Sequence, residues 1–114
     1  MYSVTELDSK IRDQLYRRMI TDFLDVVILT NLRKQSMSGY DVISFAHDKF
    51  QILLSPGTVY SSLYSLERRG LVKGVNTQGK RVFMLTEHGI EAVRTFSNMK
   101  DRLLGLISNL FIGS

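Results

Sequence analysis

The dipeptide Ser55-Pro56 and Gly70 bracket a stretch, "SPGTVYSSLYSLERRG", that reads as one short helix with a marked start and stop. Pro56 is the only proline in the chain. At the first helical position its missing N–H costs nothing, and a serine before it supplies the cap. Gly70 falls where a helix usually ends, at the first residue beyond the cap. Two strand-like runs follow at once, "LVKGV" and "RVFML", rich in β-branched and aromatic residues. The turn cluster "NTQG" joins them into a β-hairpin.

The rest of the chain reads as helices around that unit. From Thr5 to Arg18, Leu7, Ile11 and Leu15 recur every fourth residue, with Tyr16 and Met19 alongside, which predicts an amphipathic helix. In "TDFLDVVILTNL", Thr21 is the expected cap, and Asp22 and Asp25 suit the dipole of the first turn. That segment is apolar nearly all round, as a buried central helix would be. "SMSGYDVISFAHDKF" predicts a third helix, with Ser38 as cap and Asp41 completing a capping box. Tyr40, Ile43, Ala46 and Phe50 are expected along one face of it, with Val42 and Phe45 beside them. "QILL" is either a short strand or an extended link. Thr86 then caps a last helix running to about Phe111.

The order is helix, helix, helix, helix, hairpin, helix. Its middle, three helices and a hairpin, is a winged helix-turn-helix. The expected fold is therefore mainly α with a β-hairpin, an α+β class. A chain of 114 residues is one domain by length. Its expected parts are an N-terminal helix over 1–19, a winged-helix core over 20–86 and a C-terminal helix over 87–114.

Several functions find no support. No apolar run reaches the ~18 residues a membrane span needs. "MYSVTELDSK" has no apolar stretch behind a basic start, so no secretory signal is read. The chain has no cysteine, hence no disulfide, thiolate ligand or thiol nucleophile. An intracellular, cytoplasmic protein is expected. His47 and His88, the only histidines, fit no ligand spacing, and no glycine-rich phosphate loop exists. No metal, cofactor or enzymatic activity is expected.

The placement of charge says more. Residues 55–86 hold Arg68, Arg69, Lys73, Lys80 and Arg81 against Glu67 alone, a surplus equal to the net charge of +4 for the whole chain. A confined basic patch points to a polyanion, nucleic acid before membrane. On helix 56–69, Val59, Leu63 and Leu66 define the inward face by their spacing of 4 and 3. Opposite them fall Gly57, Ser61, Tyr64 and Arg68, flanked by Thr58, Ser65 and Tyr60. Small residues allow close approach, and free N–H groups of the first turn can hold a phosphate. The hydroxyls of Ser55, Thr58, Tyr60, Ser61 and Tyr64 can bond phosphates or base edges. These are the features of a helix laid in the DNA major groove.

At these residues the chain resembles the PadR-like winged-helix transcriptional regulators. "SGYDVI", "LSPGTVYSSLYSLERRGLV" and "KRVFMLTEHGIEAV" carry the resemblance, in the family's order and spacing, over roughly residues 20–95. In the family, a Ser-Gly-Tyr-Asp run opens the first helix of the helix-turn-helix, matched by Ser38 to Asp41. A Ser-Pro-Gly-Thr-x-Tyr run opens the recognition helix, matched by Ser55 to Tyr60. Arg81 to Gly89 match the run that closes the wing and begins the C-terminal helix. The resemblance implies a homodimer on an operator in double-stranded DNA, usually as a repressor, and the two-fold symmetry of such a dimer makes the expected operator an inverted repeat. It implies a recognition helix over 55–68 and a wing over 76–81, with Gln78, Lys80 and Arg81 at the DNA. The chain looks like the family's branch with a short C-terminal region. Some short members bind aromatic compounds between subunits, often with tryptophan. This chain has none, and its effector is unknown.

Spacing alone also favours a dimer. Ala92, Phe96, Met99, Leu103, Leu106 and Leu110 are spaced 4, 3, 4, 3, 4, a heptad seam for packing on another helix. Ile90, Val93, Leu104, Ile107 and Phe111 form a second stripe, too much apolar surface for one small domain to cover. Leu7, Ile11 and Leu15 pose the same problem. The expected interface thus joins both terminal helices. A winged-helix module that docks on protein, with incidental basic charge, is the alternative reading.

Overall fold

A computed structural model of the chain describes residues 3–111. The tips of the expected terminal segments, residues 1–2 and 112–114, lie outside the described residues. Five helices and three short strands follow in the order α1 (Val4–Asp22), α2 (Leu24–Leu32), β1 (Met37–Ser38), α3 (Gly39–Phe50), α4 (Pro56–Arg68), β2 (Val72–Thr77), β3 (Lys80–Leu85) and α5 (Glu87–Asn109). This is the winged-helix α+β fold.

The caps work as the residues suggest. Ser38 Oγ accepts the Asp41 N–H while the Asp41 carboxylate accepts the Ser38 N–H, a complete capping box on α3. Ser55 caps α4, with Pro56 in the first turn. Gly70, at φ +75°, closes α4 in a Schellman motif: its N–H donates to the Glu67 carbonyl and the Leu71 N–H to that of Leu66. Thr86 caps α5 by accepting the Gly89 N–H.

Three expectations need correction. Thr21 caps nothing: α1 runs on through it to Asp22, and α2 starts after Phe23 with no side-chain cap. The sheet has three strands, not two, because Met37 and Ser38 pair antiparallel with Phe83 and Val82, giving the order β1-β3-β2. Tyr40 is not on the buried face of α3. It is 72% exposed, and Val42 and Ala46 take the core positions. "QILL" is the extended link, with Ile52 and Leu54 buried.

One core holds the unit together. Leu24, Ile28, Leu29 and Leu32 of α2, Val59, Leu63 and Leu66 of α4, Val72 and Phe83 of the hairpin and Val93 of α5 all pack into it. The apolar positions of α4 therefore face inward as their spacing requires. α1 contributes no fully buried residue.

Candidate nucleic-acid interface

Helix α4 presents three different edges. Val59, Leu63 and Leu66 anchor it to the core. Opposite them, Gly57, Ser61, Tyr64 and Arg68 are all exposed, as the helical period demands. No acidic residue lies on that outer strip. On one flank, Thr58, Ser62 and Arg69 line a polar groove of about 420 Å³ with Thr21 and Asp25. On the other flank, Tyr60 and Glu67 face the sheet.

These flanks change the roles expected of several residues. Tyr60 is half-buried, and its ring covers Gly39 at the start of α3, so its hydroxyl is not on the outer strip. Ser55 spends its hydroxyl locally, accepting the Thr58 N–H and donating to Thr58 Oγ1 at 2.8 Å. Thr58 is accordingly tied to the cap and half-buried. Tyr64 remains exposed at 40%, its ring braced edge-on against Phe83 and tilted on Tyr60 at about 6 Å between centroids. Such bracing costs a side chain little further entropy on contact with a ligand.

The hairpin stands beside α4. Gln78 (φ 49°) and Gly79 (φ 77°) make the two-residue turn, both left-handed, as a type I′ connection requires. Gln78 and Lys80 are exposed at the tip. Arg81 is not. Along a strand, neighbouring side chains point to opposite faces. Arg81 lies on the face that carries Phe83 into the core, with its guanidinium 5.7 Å from that ring. It bonds Glu67 Oε2 at 2.8 Å and Asn76 Oδ1 at 3.3 Å. The two wing cations therefore differ in setting, Lys80 open at the tip and Arg81 paired with Glu67.

The basic patch is correspondingly smaller than the sequence count. Arg81 is matched by Glu67, and Arg69 reaches Asp25 at 3.8 Å in a mostly exposed pair. The side chains of Arg68, Lys73 and Lys80 make no hydrogen bond or ion pair within the described residues. Hydrogen bonds from Ser38, and to a lesser degree the charge of nearby Lys80, hold the Asp41 carboxyl below its ordinary range. The largest cause is the hydrogen bond from the Ser38 N–H. Sequence reasoning missed Glu67 and Gly74 as members of this assembly. Only their proximity to Arg81 in space reveals them.

The residues expected at a dimer interface divide. Leu7, Ile11, Leu15, Met99, Leu106 and Leu110 are all between 36% and 73% exposed. Leu103 is half-buried, and with Leu15, Met19, Phe23 and Leu106 it lines an apolar groove of about 400 Å³ between α1 and α5. Phe96 is half-buried and packs, with Ala92, against the core of its own domain. Among the described residues no group of side chains could hold a metal ion, and no helix is long and apolar enough to cross a membrane.

Residues 28–95 match the family described as "Transcriptional regulator PadR-like family". Among solved structures, a PadR family regulator from Eggerthella lenta superposes with a TM-score of 0.69 at 20% identity, covering 96% of each chain. A transcriptional regulator from Clostridium thermocellum gives 0.68 at 22% identity, over 83% of this chain and 95% of that one. At such identities the likeness concerns the fold. Bacillus subtilis PadR, solved in complex with operator DNA, gives 0.59 at 26% identity, over 64% of this chain and 45% of its own. No curated protein matches the sequence.

Proposed function

Because the chain belongs to the PadR-like family of transcriptional regulators, we propose that it binds a specific operator in duplex DNA as a homodimer and represses from it. It is a DNA-binding regulator and not an enzyme. The observation that carries the finer reading is the outer strip of α4. Gly57, Ser61, Tyr64 and Arg68 form an acid-free, exposed row with Lys80 and Gln78 beside it on the hairpin. In this reading α4 enters the major groove. Ser61 and Tyr64 meet base edges or their flanking phosphates, Arg68 meets the backbone, and the hairpin tip reaches the next stretch of backbone through Lys80. Bacillus subtilis PadR, solved in complex with operator DNA, supports duplex DNA as the partner.

Two measurements test it. Footprinting on the DNA upstream of its own coding region should protect an inverted repeat, with half-sites about 10 base pairs apart or a near multiple. Titrating Lys80→Ala against that DNA over a range of salt should lower the log–log slope by about 0.9 for each phosphate no longer neutralised. A chain that binds every duplex equally, or that recovers a protein partner and no DNA, sinks the reading.

A further inference from the structure

We propose that Arg81 is a positioning residue for operator binding: it latches the hairpin to the recognition helix through Glu67 and does not itself clamp a phosphate. The inference rests on the DNA-binding reading above. Three observations meet at one point. Glu67 Oε2 accepts both the Arg81 guanidinium at 2.8 Å and the Gly74 N–H at 3.0 Å, so a single carboxylate on α4 grips both strands of the hairpin. The guanidinium also holds Asn76 on β2. And the guanidinium lies over Gly74: a Cβ there would come within 2.6 Å of its Cζ and Nη2.

Glu67 is the one acid in the basic segment, and it lies next to the outer strip of α4. Toward a phosphate backbone its charge is unfavourable. Its pairing with Arg81 removes that charge from view and uses it to fix the angle between two elements that must touch DNA together. Both side chains are about one-third exposed. An ion pair this exposed contributes little to stability by itself. Its effect is on geometry: α4 and the hairpin tip meet the duplex with the spacing already set, so less order must be imposed on binding.

Gly74→Ala is the discriminating variant. It leaves every charge in place and gives β2 a better strand residue, yet its methyl group takes the space the guanidinium now fills, so the guanidinium must shift from its seat beside Glu67. Arg81→Lys is the second arm, keeping the charge but losing the planar fork that spans Glu67 and Asn76. The probes are fluorescent duplexes tiling the DNA upstream of its own coding region, plus a duplex of random sequence. A thermal melt of each variant establishes folding. The latch predicts that both variants bind the preferred duplex on the order of tenfold more weakly, the scale of one good contact, with an unreduced salt slope. Hydrogen exchange at the tip amides of residues 76–80 should speed up in both. A phosphate-clamp role predicts the reverse: Arg81→Lys close to wild type, and Arg81→Ala lowering the slope. Wild-type binding with Gly74→Ala indistinguishable from it would overturn the latch alone. A wild-type chain that prefers no duplex would overturn the functional reading and, with it, any role for Arg81 in operator affinity.

Discussion

Asp41 shows how a single side chain joins local structure to the surface. Its carboxylate accepts the Ser38 N–H at 2.9 Å, and its own N–H is held by Ser38 Oγ at 3.1 Å. The hydrogen bonds from Ser38, with Lys80 nearby, hold its pKa below the ordinary carboxylate value against the opposing effect of burial. A depressed folded-state pKa gives stability that is present above the unfolded value, near 3.9, and is lost as pH falls through the folded one. Asp41→Asn should therefore cost about 1 kcal/mol at neutral pH, as loss of a cap partner does. The gap to wild type should close as pH drops through that acid window. Urea titrations of both proteins from neutral pH downward check it. A gap independent of pH would mean that the charge of Asp41 contributes nothing.

At the scale of elements, the junction of α4, β2 and α5 rests on Thr86. Its hydroxyl accepts the Gly89 N–H at the start of α5 and donates to the Gly70 carbonyl at the end of α4 at 2.5 Å. Its N–H bonds the Leu71 carbonyl. Thr86→Val keeps the shape and removes both hydroxyl bonds. It should lower stability by about 1–2 kcal/mol, read as a lower urea midpoint with unchanged m. The caps at Ser38, Ser55, Gly70 and Thr86 were legible in the sequence because capping is chemistry between residues three or four apart. The break at Phe23 was not, since neither glycine nor proline marks it and α1 simply runs through Thr21. Nor was β1, a two-residue strand whose partners lie more than forty positions on. For the candidate site, the outer strip of α4 followed from helical period alone. What Arg81 faces did not, because its partner sits fourteen residues away across a turn. Charge can be counted in a sequence, but its direction depends on the pleat of a strand and the packing beneath it.

The whole molecule is long and thin, 49 Å by 21 Å along its extreme axes, because the terminal helices outrun the core. α5 has 23 residues and so a length of about 34 Å, yet its contacts with the core come from Gly89, Ala92, Val93 and Phe96 in its first half. Beyond them Leu104, Leu106, Leu110 and Phe111 are 55–73% exposed, and α1 adds Leu7, Ile11, Leu15 and Met19 at 36–53%. Of these, Leu15, Met19, Leu106, Leu110 and Phe111 meet in one apolar groove between the two helices, a surface of the kind that marks an interaction site, and burying each leucine there stabilises by roughly 1.5–3 kcal/mol. In the proposed homodimer a second copy covers it, with two recognition helices about 34 Å apart on one side of the duplex. Leu103 and Leu106 lie in the middle of that surface, flanking the groove between α1 and α5. Leu103→Asp with Leu106→Asp would place carboxylates against their own symmetry mates. Neither position belongs to the fully buried core, so the winged-helix unit should still fold. The double variant should sediment as a monomer and lose preference for the operator, because one half-site contact retains little beyond non-specific affinity. Its binding to random duplex at low salt should persist, since the outer strip of α4 is untouched. A double variant that remains dimeric and prefers its operator would move the interface off α5 and leave these leucines without a partner.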